Sequence, residues 1–424
     1  MNPDRNEGTG KTGSLLRKIK TFSALKNPVF RLYLGSMLGG QAAMSMQMMT
    51  RSLLIYRLTG SSALLGVLAL ANSLPSLSLS LIGGTIADRM QKKHVLIIGQ
   101  LVSVMITLVI AFALTTGYLS SENAGSWWLL IATSLLQGTM AGLVMPSRQA
   151  IIAEIVSGDH LMNALALNNM VMNILRLMAP AFAGFLIDNL GFQAVFYIIP
   201  GLYLISTVFV TFIPLSSSIS IGGQGVFAEM KDGLRYVRSE KNILAILVFL
   251  ICTIFLSASY NQLMPIFTED ILKVGATGMG ILLSASGVGA LTGSLFLASM
   301  PNPNRKRGLM LLLASVMVGI SLVVFAFSES WYLSLTVVVF IGLGHTGRIT
   351  LSNTLLQYYS DKNYRGRVMS IYHMEIGLTS FGVFLGGVLA ETIGVQWVVG
   401  SFGLLLLLIS TIALIFVPAI RDLN

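Results

Sequence analysis

Charge is what this sequence has least of. Only 10% of its 424 residues are Asp, Glu, Lys or Arg, against about 25% in an ordinary soluble domain. Hydrophobic residues make up 54% and the mean hydropathy is +0.79, which excludes a solvated globular surface and points to a polytopic membrane protein. One cysteine, Cys252, excludes a disulfide within the chain. Four scattered histidines, His94, His160, His345 and His373, give no metal-ligand spacing, and no cofactor is expected. The apolar runs hold no paired acids and no His-Glu-x-x-His pattern, and no glycine-rich nucleotide loop occurs, so the chain does not read as an enzyme. The net charge of +10 would suggest nucleic acid in a soluble protein; here its distribution is what matters, and nucleic acid is not an expected partner.

What is present is a series of long apolar runs. Twelve reach the roughly 20 residues needed to span a bilayer, near 30–56, 62–87, 94–117, 127–146, 163–187, 193–214, 243–265, 275–300, 309–328, 331–350, 368–390 and 396–418. Residues 1–29 are polar and basic and do not resemble a cleaved signal. The longest polar interruption, 215–242, separates two sets of six runs, 30–214 and 243–424. Within it, Val226 to Arg238 alternates apolar and basic residues at helical spacing and predicts an interfacial helix.

Basic residues sort cleanly across these runs. With the N-terminus on the cytoplasmic side, 22 of the 27 fall inside, only Arg57 and Lys273 fall outside, and Arg51, Arg176 and Arg348 lie within runs. Such an alternation fits the positive-inside rule and places both termini in the cytoplasm.

The two sets also repeat. Pro146-Ser147-Arg148-Gln149-Ala150 through Leu161-Met162-Asn163-Ala164 follows the fourth run, and Asn353-Thr354-Leu355-Leu356-Gln357 through Tyr364-Arg365-Gly366-Arg367-Val368-Met369-Ser370 follows the tenth. Between runs two and three stands Gly83-Gly84-Thr85-Ile86-Ala87-Asp88-Arg89-Met90-Gln91-Lys92-Lys93. It resembles the corresponding loop of the major facilitator superfamily. Together with Asn27-Pro28-Val29-Phe30-Arg31-Leu32 and Leu58-Thr59-Gly60-Ser61, these motifs resemble the twelve-span bacterial branch that includes the enterobactin exporter and macrolide efflux proteins. The resemblance implies an all-α membrane protein of the major facilitator fold, twelve helices in two six-helix halves, in a bacterial inner membrane. It implies export of an amphipathic small molecule, a drug, siderophore or lipid-like metabolite, in exchange for protons, by a monomer whose partners are that substrate, protons and the bilayer. A facilitator without proton coupling, or a non-transporting scaffold or sensor, is the alternative.

The resemblance also assigns residues. Gly84, Asp88, Arg89, Lys92 and Lys93 form the gating motif, with Asp88 facing the start of run eleven, where the helix dipole favours an anion; alternatively Asp88 caps its own loop. Gln41, Met44, Met48 and Arg51 fall at helical spacing on run one and make a polar, polarizable face that either lines a cavity for apolar ligands or simply packs; in the family, runs one, four, seven and ten line the cavity, which adds Gln137, Tyr260, Asn261 and His345. Coupling candidates come from the residues themselves. Arg176 lies nearest mid-membrane and either binds an anionic group or bridges helices; Glu375, the only acid deep in a run, either carries a proton or makes a structural hydrogen bond. Arg51 and Arg348 are expected to snorkel from run ends. The glycine pairs Gly35/Gly39, Gly138/Gly142, Gly289/Gly293 and Gly382/Gly386 predict close helix packing. The chain departs from the family where Ser134 stands in place of an arginine before Gln137-Gly138, where Met44 stands in place of an acid, and where the run-five antiporter signature shrinks to Ala179-Pro180 with Gly184.

Overall fold

The computed structural model describes residues 23–89, 91–123, 125–156, 161–214, 226–299, 306–362, 364–373 and 375–423, with the side chains at 80–89, 149–150, 153, 226–231, 373, 375–376 and 378 outside the description. The described elements are helical throughout: α1 Pro28–Thr59, α2 Ser62–Arg89, α3 Lys92–Thr115, α4 Trp128–Ile155, α5 Leu161–Thr211, α6 Val226–Ser239, α7 Lys241–Ser257, α8 Gly275–Ala298, α9 Arg307–Ala326, α10 Trp331–Tyr359, α11 Arg365–His373, α12 Glu375–Ile393 and α13 Val395–Phe416. Among the described residues nine helices are long and apolar enough to cross a membrane. The 51-residue α5 holds two apolar runs, broken only at Gly191, whose φ of 78° and ψ of 170° lie outside the helical region.

Local chemistry sets the helix ends. Asn27 caps α1, its side chain accepting from the Val29 and Phe30 amides at 2.9 and 3.4 Å, with Pro28 at the first helical position. The same side chain donates Nδ2 to the Ile155 carbonyl at 3.0 Å, fixing the end of α4 against the start of α1. Arg148 therefore lies inside a helix that continues to Ile155, and not in a loop after residue 146.

Small residues set the packing. A Cβ on Gly138 would stand 1.9 Å from the Asn72 carbonyl oxygen, and one on Gly289 would stand 1.9 Å from that of Val339, so α4 lies backbone-to-backbone on α2 and α8 on α10. Gly39 and Gly382 make similar approaches to Leu202 and Phe255. Where lipid supplies no hydrophobic drive between helices, buried hydrogen bonds add to this packing: Gln100 Nε2 donates to Ser206 Oγ at 2.7 Å, and Ser206 Oγ donates to the Ser36 carbonyl at 2.7 Å.

The helix from the central segment docks on the second set. Asp232 pairs with Arg367, the Tyr236 and Tyr364 rings stack with centroids 4.2 Å apart, and Tyr236 Oη accepts from the Asp361 amide at 3.1 Å. Val237 is buried with Ile243 and Ile246. The helix expected over 226–238 thus exists, packed against α11.

The apolar core is organised unequally along the bundle. At the end bearing Arg57, one continuous cluster draws on both sets, with Leu53, Leu65 and Ala183 beside Phe267, Met279 and Ala390. At the end bearing Lys92 there are two clusters, one built from residues 24–213 and one from residues 237–423.

Candidate functional site

Two helix pairs cross between the sets, α2 with α12 and α5 with α8. Gly387 and Gly184 make these crossings close: a Cβ on Gly387 would come within 2.6 Å of the Ser62 carbonyl oxygen, and one on Gly184 within 2.2 Å of the Ala276 carbonyl oxygen. Four residues after each glycine is an acid. Glu391 accepts from Ala63 N at 3.0 Å, Ser62 Oγ at 2.9 Å and Ser61 Oγ at 3.1 Å, capping the start of α2. Asp188 accepts from Thr277 N at 2.7 Å and Ala276 N at 3.3 Å, capping the start of α8. Three residues further on, Gly191 and Gly394 both turn the chain with positive φ. The two sets therefore carry one device twice: a carboxylate on one set closing a helix N-terminus of the other, where orphan amides and dipole favour an anion.

Arg57 joins this cluster. It forks onto Glu269, Nε to Oε2 at 3.1 Å and Nη2 to Oε1 at 2.8 Å, lies 3.9 Å from Asp188, and sits over the Phe192 ring at 5.4 Å. Tyr56 donates to Asp270 beside it. The Ala63 amide, helped by the Ser62 and Ser61 hydroxyls against some desolvation, holds the Glu391 carboxyl below its ordinary range; Glu391 lies past the apolar run that ends at residue 390. None of these acids was singled out from the sequence, although the repeat Gly184-x-Leu186-x-Asp188-x-x-Gly191 and Gly387-x-Leu389-x-Glu391-x-x-Gly394 is visible there.

Of the expected gating motif, Gly84, Asp88 and Arg89 lie in α2 with side chains outside the described residues. The following lysines are described, and both serve the first set: Lys92 pairs with Glu154 near the end of α4, and Lys93 Nζ donates to the Thr211 and Ile213 carbonyls at 2.6 and 2.7 Å, where a cation suits a helix C-terminus. Glu375 opens α12, its side chain likewise outside the description.

The cavity candidates divide. Met44 and Met48 are exposed, 43% and 62%, whereas every residue from Met49 to Tyr56 is buried, so the α1 face closes toward the Arg57 end. Gln41 is buried and reaches Ser45 at 3.4 Å; Gln137 is half-buried and donates to Ser103 Oγ at 3.3 Å. Asn261 is exposed, while Tyr260 is buried, shares a hydrogen bond with Ser286 at 3.3 Å and meets Phe325 edge-on. His345 is half-buried beside Arg348.

The snorkelling expected of Arg51 and Arg348 does not occur. Arg51 is 5% exposed and Arg348 0%. The reason is helix length: α10 continues to Tyr359, 11 residues beyond Arg348, a distance of about 16 Å at 1.5 Å per residue. Arg348 Nη2 instead donates to Ser257 Oγ at 2.8 Å, and Arg51 Nη1 donates to Ser134 Oγ at 2.9 Å. The guanidinium missing from the Ser134 position thus returns to the α1–α4 interface from the opposite helix.

Arg176 stands 15 residues from either the start of α5 or Gly191 and is exposed, in a stripe with the exposed Asn169 and Asn173. Three polar side chains at this depth would be costly against lipid, so the stripe faces a wet interior. On α10 the exposed Thr350, Thr354 and Gln357 form a second such stripe toward the Lys92 end.

The chain is similar to known proteins over most of its length. The transmembrane secretion effector family matches residues 19–423. The chain is 24% identical over 380 residues to the multidrug efflux pump Tap of Mycolicibacterium fortuitum, covering 88% of this chain and 91% of that one. To the staphyloferrin A transporter of Staphylococcus aureus it is 24% identical over 340 residues, covering 78% and 82%. Among solved structures, the nucleoside transporter NupG superposes with a TM-score of 0.73 at 13% identity, covering 90% of this chain and 98% of that one, which shows a shared fold. These relatives are transporters and not enzymes. With its motifs, its helical architecture and a family match over nearly its whole length, the chain belongs to the transmembrane secretion effector family, within the drug and siderophore exporter branch of the major facilitator transporters.

Proposed function

We propose that this chain is a secondary active transporter of twelve spans that exports an amphipathic small molecule in exchange for protons, by alternating access between its two six-helix halves. The observation that carries the reading is the divided core: one apolar cluster shared by both halves at the Arg57 end, two separate clusters at the Lys92 end. That is the arrangement of a rocker closed at one end and open at the other. In the orientation set by the basic residues, the Lys92 end is cytoplasmic and the conformation is inward-open. Asp88 holds the inner side closed in the opposite state, and Glu375 carries the proton. The efflux pump among the relatives supports export as the direction.

The test is movement of a panel of macrolides, siderophores and lipophilic dyes in proteoliposomes, with and without an imposed pH gradient, using native protein, Glu375→Gln and Asp88→Asn. Gradient-driven movement abolished by Glu375→Gln is expected, with Asp88→Asn slowing every substrate while inserting normally. Movement indifferent to the gradient would replace antiport with a facilitator, and none for any substrate would leave a scaffold of the same fold.

A further inference from the structure

Two of the acids between the halves are only partly used. Glu269 is held by the fork of Arg57, and Asp188 caps α8. Asp270, by contrast, is exposed and receives the Tyr56 hydroxyl at Oδ2 alone. Glu391 caps α2, yet all three of its described hydrogen bonds end on Oε2. Each of these carboxylates therefore has one oxygen tied to the protein and one, Asp270 Oδ1 or Glu391 Oε1, that meets no described donor.

Both acids line one cavity. Its volume is about 410 Å³, within the roughly 300–1,000 Å³ usual for small-molecule sites. The walls come from both halves: Tyr56 and Ser62 from the first, Asp270, Glu391 and Trp397 from the second. Ile266, Ile271 and Val395 supply apolar surface between them. The rim is open where Asp270, Glu391 and Trp397 are exposed, and the Trp397 ring stands edge-on to Phe327 with centroids 5.4 Å apart. No cationic side chain is among the described residues that line the cavity. Arg57 is committed to Glu269 and lies 3.9 Å from Asp188, while Lys273 is exposed and forms no ion pair among the described residues.

Spare carboxylate oxygens, two aromatic residues and an apolar wall together suit an organic cation: the oxygens can only accept, and aromatic rings attract a cation through their quadrupole. A metal ion fits poorly. Calcium takes roughly six to eight oxygen ligands, and among the described residues no group of three His, Cys, Asp or Glu is placed to hold a metal. We infer that this cavity binds a hydrophobic ammonium ion, tertiary or quaternary, entering from the Arg57 face. Glu122 and Glu329, exposed at the same end, add long-range attraction. The site does not depend on which substrate is transported or on proton coupling. Because its walls belong to both halves, an occupant ties them together and favours the closed Arg57 end.

The test uses purified protein in nanodiscs with 5-fluorotryptophan at its four tryptophans, Trp127, Trp128, Trp331 and Trp397. Trp397→Phe assigns the Trp397 fluorine resonance. The probes are benzyltrimethylammonium and the neutral N,N-dimethylbenzamide. The cation should shift the Trp397 resonance to saturation and bind about 10-fold tighter than the amide. Asp270→Asn should erase that preference while the other three resonances stay in place, which certifies the fold. Tyr56→Phe, which keeps the Asp270 charge and removes only its internal donor, should leave the preference intact. The proposal is overturned if the amide binds as tightly as the cation, if the preference survives Asp270→Asn, or if the cation leaves the Trp397 resonance unmoved. For the link between halves, Asp188→Ala weakens the opposite crossing, and spin labels on Asn123→Cys and Tyr332→Cys in a Cys252→Ser background report the separation. The cation should return the long-distance population of that variant to the closed distance; an unchanged distribution would overturn the bridging role.

Discussion

Exchanging Asp188 and Glu391 together for Ala should open the Arg57 end. Each carboxylate caps a helix of the opposite half, and a capping side chain contributes about 1 kcal/mol. Two such contacts, present only while the end is closed, amount to about 2 kcal/mol, or a shift of about 30-fold in the closed-to-open ratio. Cys252→Ser leaves a cysteine-free background in which Asn123 and Tyr332, exposed at that end on different halves, can be replaced by cysteine and spin-labelled. Double electron–electron resonance should then show a longer-distance population in the double variant that is minor in the parent; identical distributions would mean that the duplicated caps do not hold this end.

The same label pair reads out a proton effect with a defined sign. The Glu391 carboxyl is held below its ordinary range when the end is closed, so the closed state binds its proton more weakly than the open one. Closure by Glu391 is complete above the ordinary carboxylate pKa and is lost as pH falls through the depressed value. Acidifying the Arg57 face should therefore favour opening, neutral pH should leave the distribution flat, and Glu391→Gln should remove this contribution. Opening on alkalinisation would reverse the assignment.

The second large effect separates packing within a half from packing between halves. Gly138→Val and Gly289→Val each drive a side chain into the backbone of a neighbouring helix of the same half, where nothing flexible can give way. Overpacking of this kind commonly destabilises by 1–3 kcal/mol, roughly, and by more against backbone. Folded yield in the membrane, measured by fluorescence-detected gel filtration, should collapse. Gly184→Val and Gly387→Val also drive into backbone, with Cβ approaches of 2.2 and 2.6 Å, but across the interface between halves. They should leave yield largely intact and displace the spin-label distance to the open population. Gly201→Ala, whose added atom meets nothing within 4 Å, serves as control. Equal loss of yield in both pairs would show that the halves do not separate at α2–α12 and α5–α8.

Much of the fold was legible because membrane burial writes itself along the chain. The apolar runs, the glycine pairs and Asn27-Pro28 each carry a local physical meaning, and the described helices, close crossings and cap follow them. The contacts between the halves were not legible in this way. Asp188, Glu391 and Arg57 look like ordinary charges at helix ends, and their importance arises only when the opposite half supplies the amides or the carboxylate that they meet. Snorkelling for Arg348 failed for a related reason: the apolar run stops near residue 350, but the helix continues through Thr350, Asn353, Thr354 and Gln357, which are polar because they border the interior. Hydropathy measures contact with lipid, so it underestimates a helix that lines water.

The short turns at the Arg57 end bear on how the protein can be handled. Gly60 and Ser61 connect α1 to α2, Gly191 alone breaks α5, and Gly394 alone links α12 to α13. Helices joined this tightly must travel as hairpins, and that face offers a protease or an antibody almost nothing to grip. The connection there between α3 and α4 carries positive-φ glycines at both Gly117 and Gly125 and exposed residues at 121–123. An epitope or affinity handle for that face belongs in this segment, where it would burden neither the caps nor the hairpins.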